Sequence, residues 1–270
     1  MTGVDILVFL GGCGIAALAG VMSGALVNTL ADRVVGPDEP GWSATQCRKC
    51  GAALPAAHAL FALGELRTPR VCASCGQRAS VRRPLTQIAL AVLFPLLLAH
   101  AVFNPGRPLS PRATVLPLWA LIALAGLTCL ALTFIFVVDL EHRVIYDLAV
   151  FAPLCLILAT AAWLNRPALG GLLLAGVIST ALFLLLYGLG WAIYRQEALG
   201  FGDVKLAALM GIATGWPGIV TALVIAAGGG FIVALFLMAS GAMQRRAFIP
   251  FGVFMALGTV VAMLTSPFPW

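Results

Sequence analysis

Residues 114–147 read TVLPLWALIALAGLTCLALTFIFVVDLEHRVIYD. The 25 residues from Thr114 to Val138 carry no charge, and then Asp139, Glu141, His142, Arg143 and Asp147 follow in quick succession. A helix needs about 20 apolar residues to cross the hydrocarbon of a bilayer. This stretch therefore predicts a spanning helix that ends at a polar mouth marked by Asp139. A carboxylate there is unfavourable twice over, because it borders lipid and sits at a helix C-terminus, where negative charge is disfavoured.

The rest of the chain fits the same solvent. Its 270 residues are 61% hydrophobic and 10% charged, against roughly 25% charged in soluble domains. The fold class expected is an all-α polytopic membrane protein. Apolar segments fall at about 5–31, 84–103, 114–138, 145–164, 168–194, 204–215, 216–239 and 248–266, eight in number. The sixth and seventh meet at Gly215-Trp216-Pro217, and reading them as one bent helix gives seven. The Met1–Val4 start lacks the basic region of a cleavable signal and is followed by Asp5, so the first segment is expected to be retained.

Basic residues test the count, since Lys and Arg collect in cytoplasmic loops. With the N-terminus outside, the inner loops hold 13 of them and the outer loops only Arg107, Arg112 and Arg166. This asymmetry favours eight spans with both termini outside. It also explains the net charge of +6 without nucleic acid. In the first segment Ala16, Gly20, Gly24 and Asn28 recur every four residues, a stripe that lets helices approach closely. Gly228-Gly229-Gly230 reads as packing in the same way.

The domains expected are a first helix (1–31), a soluble loop (32–83) and a membrane core (84–270). The loop is too short to build a strong core unaided. It carries its own staple in Cys47-Arg48-Lys49-Cys50 and Cys72-Ala73-Ser74-Cys75, two CxxC pairs each followed by a glycine, Gly51 and Gly76. Four thiolates on two such knuckles suit tetrahedral Zn²⁺ and leave no open position, so the ion expected is structural. The alternatives are a redox dithiol pair or a metal held only during folding. His58 lies between the pairs and is expected at the surface.

A second acid stands out in Leu199-Gly200-Phe201-Gly202-Asp203-Val204-Lys205. Gly200 and Gly202 permit unusual dihedrals and close approach of a substrate backbone; an ordinary helix N-cap is the competing reading. The topology places Asp203 at the same inner edge as Asp139, one acid from each of two helices. Two carboxylates that close cannot both ionise cheaply and share a proton. One can then activate water while the other polarises a carbonyl, which is peptide hydrolysis without a covalent intermediate. Asp147 reads as a helix N-terminal acid favoured by the dipole. With Gly200, Gly202 and Lys205 it is expected to support the pair. Glu141, Asp147 and Glu197, the acids near the pair, are expected either to bind a basic substrate segment or to pair with Arg143 or Arg195.

Taken together, the motifs resemble the type IV prepilin peptidase family. Ser23-Gly24-Ala25-Leu26-Val27-Asn28 is similar to that family's first-helix element. The paired CxxC loop, the Asp139–Asp147 stretch, Gly200-Phe201-Gly202-Asp203-Val204-Lys205 and Ile249-Pro250-Phe251-Gly252 follow in the family's order. The resemblance implies an aspartic endopeptidase of the bacterial inner membrane. It would cut short basic leaders from prepilins or pseudopilins, of pili or of a secretion machine, at the cytoplasmic face. It implies Asp139 and Asp203 as the catalytic aspartates, and Cys47, Cys50, Cys72 and Cys75 as zinc ligands. Many members also N-methylate the new terminus with S-adenosylmethionine. The chain departs from the family at Arg48, at Tyr146, and in Arg82-Arg83-Pro84-Leu85-Thr86-Gln87, where Arg83 replaces an aromatic and Gln87 an acid. Three rival readings are a GxGD protease cutting transmembrane helices, a transporter with the two acids as a proton relay, and an inactive zinc-stapled assembly factor.

Overall fold

A computed structural model of the chain describes residues 3–34, 47, 50–53, 72–76, 81–103, 118–195, 199–240 and 250–269. Among them the secondary structure is helical, apart from an isolated bridge at Cys47 and Ala53. The helices are α1 (Gly3–Val34), α2 (Arg82–Phe103), α3 (Leu118–His142), α4 (Asp147–Leu164), α5 (Arg166–Tyr194), α6 (Phe201–Ala239) and α7 (Phe251–Thr265). They fall into two compact units, Met1–Ala99 and His100–Trp270.

In the first unit, α1 packs on α2 through its small-residue stripe. A Cβ on Gly20 would stand 2.2 Å from the Leu90 carbonyl oxygen, and one on Gly24 2.6 Å from the Cα of Gln87. Only hydrogen fits at these places, so the two backbones meet directly, as the four-residue spacing predicts. Asn28, on the same face, is buried and donates to the Thr86 hydroxyl at 2.6 Å.

In the second unit, α3 runs one turn beyond the expected boundary. Asp139 lies in the last turn of the helix rather than at its end. Arg143 closes α3 in the left-handed region at φ 57°, donating its N–H to the Asp139 carbonyl at 3.0 Å. A left-handed residue just past a helix is a common way to satisfy its last carbonyls. Residues 143–146 then lead into α4.

Helix α6 is broken at Gly215 (φ 57°, ψ −172°) and Trp216 (φ −93°, ψ 133°), the place where the two apolar segments meet. Its first arm packs on α5: Ser179 donates to the Ala207 carbonyl at 2.7 Å, and would-be Cβ atoms on Gly176 and Gly215 meet Ile212 and Leu172 respectively. The second arm packs on α7: Gly218 faces Ser266, Gly258 faces Ala222, and Gly230 faces Phe251. Phe251 in turn lies 6.0 Å from Phe183, beside the start of the first arm. The contacts therefore run out along one arm and back along the other, so α6 is a helical hairpin. Gly229 and Gly230 meet Phe254 and Phe251, as packing glycines should, whereas Gly228 has nothing within 4 Å.

Among the described residues, six helices are long and apolar enough to cross a membrane by length and composition, against the eight spans expected. The shortfall lies in the hairpin, which is one continuous helix by that measure, and in α7, whose 15 residues are too few. Large apolar side chains stand on the outward faces: Trp163, Leu148 and Phe236 are 85%, 80% and 71% exposed. Together with the lengths, this makes the chain a multi-pass membrane protein.

Where glycine faces backbone, the packing is testable. A Cβ on Gly211 would lie 2.4 Å from the Ala175 carbonyl oxygen, and one on Gly258 2.5 Å from that of Ala222. Gly211→Ala and Gly258→Ala should each cost about 1–3 kcal/mol, read as a lower thermal midpoint in detergent. Gly170→Ala, with nothing within 4 Å, should leave the midpoint where it is.

Candidate active site and metal centre

Asp139 is buried, and its carboxylate is held by backbone. Its Oδ2 accepts the Val253 N–H at 3.1 Å, and the Gly252 N–H also serves the group. Both donors are in the first turn of α7, where N–H groups have no partner within the helix. Pro250 stands at the cap and sets the entry. A Cβ on Gly252 would sit 2.8 Å from the same Oδ2, so only glycine leaves the carboxylate its place. The contribution of Gly252 and Val253 is not evident from residue chemistry, because it is a backbone one. The signal available was Ile249-Pro250-Phe251-Gly252, which carries no role on its side chains.

Asp203 is the third residue of α6 and is also buried. Its side chain accepts the N–H of the cap residue Gly200, while its own N–H donates to the Gly200 carbonyl at 3.0 Å. It reaches back as an acid at that helix position does, rather than acting as the N-cap itself. Asp139 and Asp203 lie within electrostatic range of each other. Ile145, from the α3–α4 connection, fills the space beside both: would-be Cβ atoms on Gly202 and Gly252 meet its side chain at 3.1 and 3.2 Å. Gly200 lies against Asp203, its would-be Cβ 3.4 Å from Oδ2. The expected core of the site is thus assembled from α3, α6 and α7.

The surrounding acids divide. Asp147, the first residue of α4, accepts from Lys205 at 2.6 Å. Its partner is therefore Lys205, and neither Arg143 nor Arg195. Glu141 is exposed at the end of α3, with the His142 ring 3.7 Å away. Glu197 lies outside the described residues, as do Arg48, Lys49 and His58.

In the first unit the four cysteines converge, with all four Sγ atoms within 4.8 Å of one another. Cys47 and Cys75 are 3.5 Å apart, and Cys50 and Cys72 3.7 Å. A tetrahedral ion at about 2.3 Å from each sulfur needs sulfurs about 3.8 Å apart, so the set fits such an ion. Each knuckle closes through its glycine. The Gly51 N–H donates to the Cys47 carbonyl at 2.7 Å and the Gly76 N–H to that of Cys72 at 2.9 Å, both glycines at φ 71°. The backbone N–H groups of Ser74 and Cys75 pull the Cys72 thiol down to about 6, favouring the thiolate a metal binds. This group of four could hold a metal ion.

The same unit holds a cluster that the sequence reading did not foresee. Asp32 receives both Arg82 and Arg83, one guanidinium on each carboxylate oxygen. Arg83, the residue that departs from the family's aromatic, is buried there.

The fold and site define a multi-pass helical membrane protein with a buried pair of carboxylates at one end of its second unit. Residues 126–238 match the model of the type IV leader peptidase family. It is 27% identical to the prepilin leader peptidase/N-methyltransferase of Pseudomonas putida, over 82% of this chain and 72% of that one. It is 28% identical to the protein so named in Myxococcus xanthus, over 82% and 62%, and 29% identical to that of Pectobacterium carotovorum, over 84% and 76%. The chain thus spans between 62% and 76% of these relatives' length. No solved structure matches it.

The cysteine cluster makes a prediction independent of catalysis. Protein purified without chelator should carry about one tightly bound metal ion per chain. Cys→Ser at Cys47, Cys50, Cys72 or Cys75 should release it. Metal analysis that finds none, with all four thiols free to alkylation, removes the site.

Proposed function

We propose that the chain is a prepilin leader peptidase of the bacterial inner membrane that uses Asp139 and Asp203 as its acid–base pair. The observation that carries this is the convergence of two buried carboxylates, from α3 and α6, at one end of an apolar bundle. One carboxylate takes a proton from water, and the resulting hydroxide adds to the scissile carbonyl carbon. The protonated partner donates to the carbonyl oxygen. The gem-diol adduct then collapses: one hydroxyl returns its proton to the ionised carboxylate, the C–N bond breaks, and the amine leaves with the proton held by the other. Glycines at 200, 202 and 252 let the two acids and Ile145 pack closely together.

The substrate is a prepilin or pseudopilin with a short basic leader followed by an apolar helix. That helix lies in the lipid against the bundle and brings the junction to the cytoplasmic edge, where the basic loops of the chain are expected. The metal is Zn²⁺ in a structural role, because four thiolates leave no open position. A second step, N-methylation of the new terminus from S-adenosylmethionine, is supported by the compound name of the relatives. Its test is transfer of labelled methyl to the cleaved product.

Asp139→Asn and Asp203→Asn should each abolish leader cleavage in membrane preparations while leaving protein abundance unchanged. Each single loss should be about as deep as the double, since such partners act as a unit. Substantial cleavage by either single variant rejects the pair.

The inner loops repel a basic leader, so attraction must come from local acids. Glu141 and Glu197 are the acids proposed to supply it. Glu141→Gln and Glu197→Gln should raise KM for a basic leader and lose much of that effect when the leader's Lys residues are removed. The effect should also weaken as salt shortens the Debye length to about 8 Å. Simple additivity in the cycle leaves both acids as structural partners.

A further inference from the structure

The two carboxylates are carried by separate helices, so something must fix their separation. Burial alone does not. Asp139 is tied to α7 and Asp203 to its own cap residue; no direct bond between their side chains is present among the described contacts. A cross-link lies on their flank, two residues from Asp203 and eight from Asp139. Lys205 stands two residues beyond Asp203, and its ammonium reaches across to Asp147, the first residue of α4, at 2.6 Å. Only the short 143–146 connection separates α4 from the helix bearing Asp139.

Lys205 is held from two sides. Its ammonium lies 5.5 Å from the centre of the Phe201 ring, within the range of a cation–π contact. Phe201 packs edge-on against Tyr187 of α5 at 5.8 Å. Asp147 is held in turn, as an acid in the first turn of a helix is favoured by the dipole. Beneath the ion pair, Ile145 presses on Gly202. The pair thus bridges the segments that precede α4 and open α6, on the flank of the acids.

We propose that the Lys205–Asp147 ion pair is a positioning clamp that sets the distance between the Asp139 and Asp203 carboxylates; this rests on the reading of those two acids as the catalytic pair. The clamp contributes little to global stability. Lys205 and Asp147 side chains are 28% and 60% exposed, and such pairs are weak in water. Its effect falls on rate, because misplacing reacting groups by about 1 Å can cost on the order of a hundredfold. Lys205 and Asp147 act through the two acids and touch no substrate.

The experiment is a double-mutant cycle on the full-length enzyme in detergent or liposomes, with a prepilin as substrate. The variants are Asp147→Asn, Lys205→Met and the double. Each single should lower kcat about tenfold with KM held within about twofold, and the double should be no worse than the deeper single. Lys205→Arg, which keeps the charge, should retain more activity than Lys205→Met. Thermal midpoints should stay near that of the parent. Should Lys205→Met fold poorly, Asp147→Asn at the exposed helix start still reads the clamp.

Unchanged kcat in both singles, effects that multiply in the double, or a rise confined to KM each overturn the clamp. Asp139→Asn in the same assay separates the two ideas. If it still cleaves, the catalytic reading has failed; if it is dead while the clamp variants match the parent, only the clamp has failed.

Discussion

A carboxylate at the end of an apolar bundle must receive its hydrogen bonds from protein, because lipid offers none and an unmet charge there is costly. For Asp139 that need is met by the first-turn N–H groups of α7. Much of the second unit follows from this bond. α7 must begin beside α3, which requires the chain to return from the far end of α6 to the end where it started. Gly252 must lack a side chain, and Pro250 must start the helix where its free N–H groups point at the acid. The hairpin in α6 supplies the return, and its second arm gives α7 a surface of glycine and alanine to lie on.

The sequence was most legible where one physical demand acted alone. Lipid as solvent set the composition and helix positions of both units, and steric demand set the glycine stripe of α1. Paired CxxC knuckles revealed the cysteine cluster, because four sulfurs around one ion have few solutions. The two aspartates were visible because a charge is conspicuous in an apolar chain. What was not legible came from backbone or from pairing at a distance. Val253 serves Asp139 through its N–H, which every residue but proline has. Asp147 was expected either to bind substrate or to pair with Arg143 or Arg195, and its partner is a lysine 58 positions on. Helix ends also shifted by a turn, since α3 runs past Asp139 to a left-handed cap at Arg143 that no residue preference announces.

The first unit shows a different balance. Half-buried Asp32 lies between the guanidinium groups of Arg82 and buried Arg83, and Asn28 donates to Thr86. A lone buried guanidinium would be untenable, while a shared carboxylate makes Arg83 compatible with its position. Arg83 stands where the resembled family carries an aromatic, so the substitution is accommodated by electrostatics rather than by packing.

The hairpin has a further physical meaning. Its first arm, residues 201–214, rises about 21 Å at 1.5 Å per residue, and α7 is of similar length. Hydrocarbon is about 30 Å thick. An arm that starts at Phe201 and turns at Gly215 therefore cannot bring both ends to the headgroups of an undisturbed bilayer. Either the leaflet dips to meet it or one end stays below the surface, each at a cost of fractions of a kcal/mol per ångström. Hydrophobic mismatch is thereby built into the helix that carries one of the two acids, and bilayer thickness becomes a variable that acts on the depth of the site.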